Sequence, residues 1–257
     1  MTILDAYIER TAEYIEAARS IGRPVKTFSA PPSVGELREG LPVNVGPGAS
    51  TGLILRADSY LELGNPEAGS AAFLLFTDDS SRVKDGRITL VGPDVQESAG
   101  RSLPFGQVLI IGGSGLSFKD YDALRHAGLI GDQIEGYMVR SATRNVWSRV
   151  GRIAAERGFG FEALGRALMA IHKSADARIE SVEVLFVTSG NEDVGRLGEL
   201  GAQVQKVAKE IVRENWKVKG IDIECLSNCA TCDDKPVCNE IREMLKVKNK
   251  AGEIGGT

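Results

Sequence analysis

The chain has 257 residues, with 31 Lys and Arg against 35 Asp and Glu and a formal charge of -4, so no general electrostatic attraction draws it to nucleic acid or an anionic membrane. Apolar residues at 42% and charged residues at 26% exclude a disordered or fibrous chain, and no apolar run approaches the ~18 residues that a membrane helix needs. The opening MTILDAYIERTAEY is acidic where a signal peptide needs a basic and then an apolar stretch, so a cytoplasmic protein is expected.

Residues 1 to about 21 read as an amphipathic helix, with Leu4, Tyr7, Ile8, Thr11, Tyr14, Ile15 and Ala18 at helical spacing. Gly22 and Pro24 stop it. Residues 23–52 are rich in Pro and Gly, which predicts irregular structure with one short strand at Leu41–Val45. Strand signals then dominate: Ser59–Leu63 alternates, Ala72–Phe76 is a compact apolar run, and Ile88–Val91 follows a turn at Asp85–Gly86. Val108–Ile111 reads as a buried strand that runs into Gly112–Gly113–Ser114–Gly115. Residues 118–127 suggest a short helix, Tyr137–Arg140 a strand and Val150–Arg157 a helix.

Phe161–His172 is a stronger helix, with Leu164, Leu168 and Ile171 on one face. Val182–Thr188 is an apolar strand, and Leu197, Leu200, Val204, Val207 and Ile211 mark a long amphipathic helix ending near Trp216. A short helix from about Asn239 to Val247 and a disordered tail are expected at the end. The expected fold class is therefore α/β (mixed α+β), strand-rich in its first half with helices appended. The division expected is a body over 1–220, a cysteine segment over 221–247 and a tail over 248–257.

The four cysteines, Cys225, Cys229, Cys232 and Cys238, fall within one short window, spaced C-x3-C-x2-C-x5-C. A disulfide framework scatters its cysteines and needs an oxidising compartment, so a metal site is the better reading. Four thiolates complete either tetrahedral zinc or a [4Fe–4S] cube. Zinc sites usually come as two C-x2-C pairs separated by a longer loop, so this crowding fits iron–sulfur ligation better than zinc, and unmetallated thiols form a third alternative. The first three cysteines also spell the radical S-adenosylmethionine pattern. That signature belongs early in a barrel, with an aromatic beside the third cysteine, where this chain has Thr231.

An ordered string of motifs carries a resemblance over roughly residues 40–240. LPVNVGPGASTGLILRADSYLELGNP, AAFLLF, ITLVGPDV, SLPFGQVLIIGG and the run from Arg144 to Gly190 resemble the middle region of acetyl-CoA synthase, the beta subunit of the carbon monoxide dehydrogenase/acetyl-CoA synthase complex. The resemblance implies that family's middle-domain fold, in which a Trp-centred strand, two helices and a further strand lead to the cysteines of a nickel–iron–sulfur cluster. Cys229, Cys232 and Cys238 match three of the cube ligands, and Cys225 is the residue that could replace the fourth.

The family's Cys-Gly-Cys motif for the distal nickel has no counterpart in this sequence, nor does the N-terminal domain that docks the dehydrogenase in the bacterial enzyme. The resemblance thus implies a cube-bearing relative for electron transfer or an accessory role in anaerobic one-carbon metabolism, without acetyl-CoA synthase activity in the isolated chain. Ferredoxin, a corrinoid protein or a carbon monoxide dehydrogenase-type partner are the expected associates. Acyl or methyl transfer with CoA, on a metal site completed by a partner, is the catalytic alternative, and a zinc-stabilised interaction module the non-redox one.

Arg140, Arg144, Arg149, Arg152 and Arg157 surround Trp147. Arginine recognises phosphate bidentately and Trp stacks on adenine, and the family resemblance implies a CoA-receiving role for such a Trp, which makes Trp147, Arg144, Arg149 and Arg152 candidate CoA contacts. The plainer alternative is a solvated basic face with Trp147 as a core anchor. A docking face for an acidic partner is a third. The glycine run 112–115 fails the dinucleotide fingerprint, because Phe118 stands where the third glycine belongs, and a hairpin turn is expected there. His126 and His172 read as structural, the latter as a partly charged ring at a helix end. Asp78–Asp79 and Asp233–Asp234 read as turn residues.

Overall fold

In a computed structural model, the described residues are 4–46, 48–49, 53–98, 102–127, 133–142, 145–218 and 240. The chain divides into two compact units, Met1–Lys206 and Val207–Thr257. Helix α1, Asp5–Ser20, buries Ile8, Thr11, Ile15 and Ala18, the stripe expected from its spacing. It ends where Gly22 takes φ +79, so that Gly22 N–H donates to Arg19 O and Arg23 N–H to Ala18 O.

The Pro/Gly-rich stretch is more ordered than expected. Strand β1 forms at Val25–Ser29 and helix α2 at Val34–Arg38, capped by the Ser33 hydroxyl, which accepts Glu36 N–H at 3.2 Å. Leu41–Val45 is not a strand; Val45 makes one antiparallel bridge to Ile134. The strands β2 Ser59–Leu63, β3 Ser70–Thr77, β4 Arg87–Val91, β5 Ser102–Leu103 and β6 Phe105–Gly112 follow. Then come α3 Tyr121–Ala127, β7 Tyr137–Ala142, β8 Val146–Gly151, α4 Arg152–Glu156, α5 Phe161–Ala175, β9 Ser181–Val187 and α6 Asn191–Val218. The helix expected over Val150–Arg157 is thus divided. Val146, Ser148 and Val150 alternate inward on a strand, and the helix begins at Arg152.

The larger sheet of unit 1 has the order β1-β4-β9-β6-β3. β4 pairs β9 and β6 pairs β3 in parallel, while β1–β4 and β6–β9 are antiparallel. Every residue of β6 and of β9 is buried, which their continuous apolar runs require when both faces are covered. α3 and α5 lie over one face and α1 and the first turns of α6 over the other. Phe105, Phe161 and Phe186 pack ring on ring beneath α5, with centroids 5.1 to 5.9 Å apart. Asp94 caps α5 from a distant loop, its Oδ1 accepting Phe161 N–H at 3.0 Å.

The second sheet is smaller, with order β5-β2-β8-β7, and is mixed because only β2–β5 is parallel. It meets the larger sheet at Ser70 on β3. The Ser70 hydroxyl donates to Val146 O at 2.9 Å and accepts Val146 N–H at 2.8 Å. Gly64 must stay bare there, because a Cβ on it would sit 2.3 Å from Val146 O. The mixed α/β class is as expected. Gly113–Leu116 does form a turn, with Leu116 N–H on Gly113 O, yet it leads into α3 rather than closing a hairpin. The cysteine segment and the tail lie outside the described residues apart from Glu240, which is helical.

Candidate functional site

β8 carries Trp147 and Arg149 two residues apart, which puts both side chains on one face of the smaller sheet. Trp147 is half-buried. Arg149 is buried at 8% exposure, and its guanidinium is held on three sides. Nε and Nη2 reach Glu62 Oε1 at 2.7 Å, and Nη1 donates to Ile54 O at 3.0 Å. Arg152, the first residue of α4, is exposed, with Nη2 3.5 Å from Ala57 O. Arg144 and the side chain of Arg140 lie outside the described residues.

Arg152 opens onto a cleft of about 370 Å³. Four stretches of chain meet there. Gly46 N–H donates to Gln133 O and Glu135 N–H to Asn44 O, while Gly151 N–H donates to Gly136 O and Arg152 N–H to Asp58 O. The walls are aliphatic, from Val43, Leu53, Ile54 and Ile153, and the rim is charged, from Asp58, Glu135, Arg152 and Arg157. Leu53 is 76% exposed and Ile153 66%, and Leu55 beside them 53%. These are three of the four large apolar side chains exposed among the described residues. Arg157 leans on Glu135 at 3.6 Å, and Asn44 Nδ2 donates to the other oxygen of Glu135 at 2.7 Å.

Such a cleft can seat an aliphatic chain along its walls and an anion against its arginines. Sequence reasoning brought Arg152 to it and missed Leu53, Ile153 and Glu135. Leu53–Ile54–Leu55 reads as buried core in one dimension, and only long-range contacts turn two of its three side chains outward.

The glycine run does not cradle an anion. Ser114 donates both its N–H, at 3.2 Å, and its hydroxyl, at 2.6 Å, to Glu180 Oε1, so a carboxylate already holds the amide that a phosphate would need. His172 is buried at 0% exposure, with Nδ1 2.9 Å from Leu168 O and Nε2 3.1 Å from Leu124 O. Burial lowers its pKa against the opposing pull of the two carbonyls, whereas the helix-end position alone suggests a partly charged ring. The His126 side chain lies outside the described residues. Asp79 caps the turn Ser80–Arg82 by accepting Ser81 N–H, as a turn residue should.

Among the described residues no group of three or more His, Cys, Asp or Glu side chains is placed to hold a metal ion. Cys225, Cys229, Cys232 and Cys238 lie outside those residues, as do Asp233 and Asp234. The donor set remains four thiolates in one short window, a composition that suits a [4Fe–4S] cube and also zinc. Among the described residues no helix is long and apolar enough to cross a membrane.

Comparison with known proteins matches residues 41–194 to the family described as the CO dehydrogenase/acetyl-CoA synthase complex beta subunit. The acetyl-CoA decarbonylase/synthase complex subunit beta of Archaeoglobus fulgidus is 27% identical over 201 residues, 76% of this chain and 36% of the relative. That of Methanopyrus kandleri is 29% identical over 196 residues, 75% of this chain and 40% of the relative. Subunit beta 1 of Methanosarcina thermophila is 27% identical over 176 residues, 67% of this chain and 36% of the relative. The chain thus spans a little over a third of the length of these curated relatives. The matched stretch contains the cleft, both sheets apart from β1, and β8 with Trp147 and Arg149.

Proposed function

Because the chain belongs to the CO dehydrogenase/acetyl-CoA synthase complex beta subunit family, we propose that it is an iron–sulfur member with a role related to acetyl-CoA synthesis or cleavage. In this reading Cys225, Cys229, Cys232 and Cys238 hold one [4Fe–4S] cluster, which serves electron transfer or an accessory step in anaerobic one-carbon metabolism. The observation that carries it is the sequence itself: four thiolates within one short window follow a domain of this family. A cube takes four thiolates, the number this window holds. Held by these four thiolates, such a cube would supply one-electron transfer, at a potential that nearby charge, hydrogen bonds and solvent exposure would set. Its partner is a redox or one-carbon protein, such as a ferredoxin, a corrinoid protein or a CO dehydrogenase-type subunit, in the cytoplasm.

The test is iron, sulfide, nickel and zinc analysis of anaerobically purified protein, with visible and paramagnetic resonance spectra before and after dithionite. About four irons and four sulfides per chain and a reducible signal are expected. One zinc per chain without sulfide would replace this reading with a structural interaction module.

One observation favours a second reading alongside it. The cleft pairs an apolar wall with two rim arginines, Arg152 and Arg157, a combination suited to the pantetheine arm and phosphates of CoA. Trp147 and Arg144 extend the candidate contact set along the same segment. Acyl or methyl transfer with CoA, on a metal site completed by a partner chain, follows from that reading. Calorimetric titration with CoA tests it: binding weakened by Arg152→Ala and by added salt supports it, and no heat at millimolar CoA overturns it.

A further inference from the structure

We propose that Arg149 and Glu62 are positioning residues that hold the Leu53–Asp58 wall of the cleft in place, rather than ligand contacts. The inference rests on the reading of the cleft as a CoA site. The two residues face each other directly across β2 and β8, so the ion pair closes without reaching along the sheet. Both side chains are nearly shut off from water, Arg149 at 10% exposure and Glu62 at 14%.

The guanidinium is planar, so once Nε and Nη2 lie on Glu62 Oε1 the direction of Nη1 is set. That nitrogen meets Ile54 O at 3.0 Å. Ile54 lines the cleft, and the exposed Leu53 is its chain neighbour. At its far end the same wall is tied by Arg152 N–H to Asp58 O at 3.0 Å, and between the ties it closes its own turn, Asp58 N–H to Leu55 O. The wall is therefore a short span anchored at both ends. One anchor is a backbone bond that any residue but proline at 152 would make. The other depends on a side-chain fork that only arginine supplies.

The geometry separates two roles within one short segment. Arg152, exposed on the cleft rim, is placed to meet a ligand. Arg149, buried behind the wall, is placed to hold the surface that the ligand meets. A lysine at 149 would keep the charge and lose the fork, because a single ammonium cannot serve Glu62 and Ile54 O in the same plane.

The experiment is amide hydrogen exchange over residues 53–58, run beside titration with CoA, on wild type, Arg149→Lys, Glu62→Gln and Arg152→Ala. Expected for Arg149→Lys and Glu62→Gln is about tenfold faster exchange of the Asp58 amide, which closes the wall's turn on Leu55 O, with protection of β6 and β9 kept, and CoA binding about tenfold weaker. Expected for Arg152→Ala is weaker CoA binding with the Asp58 amide exchanging as in wild type, because that amide bonds Leu55 O, Arg152 N–H still holds Asp58 O, and the lost side-chain contact to Ala57 O is a long one at 3.5 Å. Unchanged exchange of the Asp58 amide in both Arg149→Lys and Glu62→Gln overturns the anchor. Loss of CoA binding in Arg149→Lys with the wall still protected also overturns it, and makes Arg149 a direct contact. If the wild type binds no CoA, the CoA reading fails while the exchange arm still decides the anchor.

Discussion

Glu62 Oε1 accepts both Nε and Nη2 of Arg149 at 2.7 Å, across two antiparallel strands that place the residues in direct register. Breaking one side of so enclosed a pair leaves the other charge buried without its counter-ion. Arg149→Met alone is therefore expected to destabilise the fold by on the order of 3 kcal/mol, and Glu62→Leu with Arg149→Met to recover much of that loss. Urea unfolding of the single and double variants measures it. A double variant no more stable than the worse single would show that Ile54 O, and not the ion pair, dominates.

His172 gives acid sensitivity a distinct window. Its folded pKa lies below the ordinary 6.5 because burial disfavours the charged ring. Between the folded and unfolded values the unfolded chain binds more protons, so stability falls as pH drops below about 6.5. The carboxylates of Asp79, Asp120 and Asp176 are held below their usual range by hydrogen bonds from Ser81, from Arg178 and from Arg178 again. Their contribution is full above about pH 4 and is lost only as pH falls through their lower folded values. The chain has two histidines, so ring-proton NMR can follow each, and denaturation midpoints at pH 7.5 and 5.5 give the stability. A titration of His172 at or above about 6.5 would refute the lowered pKa.

Two helical glycines should respond in opposite directions to alanine. A Cβ on Gly165 of α5 would lie 2.8 Å from Ile88, a core side chain with no exposed surface. Gly165→Ala is expected to cost about 1–3 kcal/mol through overpacking. A Cβ on Gly198 of α6 would find Ala71 at 3.7 Å, ordinary contact. Gly198→Ala should stabilise by about 0.5–1 kcal/mol, the helix-propensity difference. Thermal unfolding ranks the pair, and equal effects of the same sign would contradict this account.

Serine at Cys225 tests the ligand set. If Cys225 supplies the fourth thiolate, Cys225→Ser purifies with a depleted or three-iron cluster and bleached visible absorption, like the same change at Cys229, Cys232 or Cys238. Full iron content and an unchanged spectrum in Cys225→Ser would remove it from the set.

Residues buried on both faces were legible from sequence, because an apolar run has one cheap fate in water. Ala72–Phe76, Val108–Ile111 and Val182–Thr188 fall on β3, β6 and β9, although β3 begins two residues earlier, at Ser70, β6 three residues earlier, at Phe105, and β9 stops at Val187. β1, VKTFS, was not, since an edge strand half open to solvent carries no apolar signature. α2 had one, the capping pattern Ser33-x-x-Glu36, obscured by the prolines before it. Val150–Arg157 misled because Val150 and Gly151 close a strand whose alternation starts earlier, at Val146. The basic run around Trp147 read as one patch. The structure instead divides it between two elements: Arg149 on β8 pairs with Glu62, and Arg152 opens α4 at the cleft. Glu62 and Ile54 lie far from Arg149 in sequence, so nothing local announced that partnership.

The hydroxyl of Ser70 stands in for a rung of β-ladder, serving both backbone groups of Val146 from one oxygen. The smaller sheet is joined to the larger one there by a component that genetics can remove in a single step, unlike a main-chain rung. Few replacements could do its work: the atom must both donate and accept at one methylene from the backbone, which leaves threonine as the natural substitute and excludes alanine. Losing that hydroxyl would leave Val146 N–H and C=O without this partner and loosen β8, and with it the cleft, against the rest of the domain.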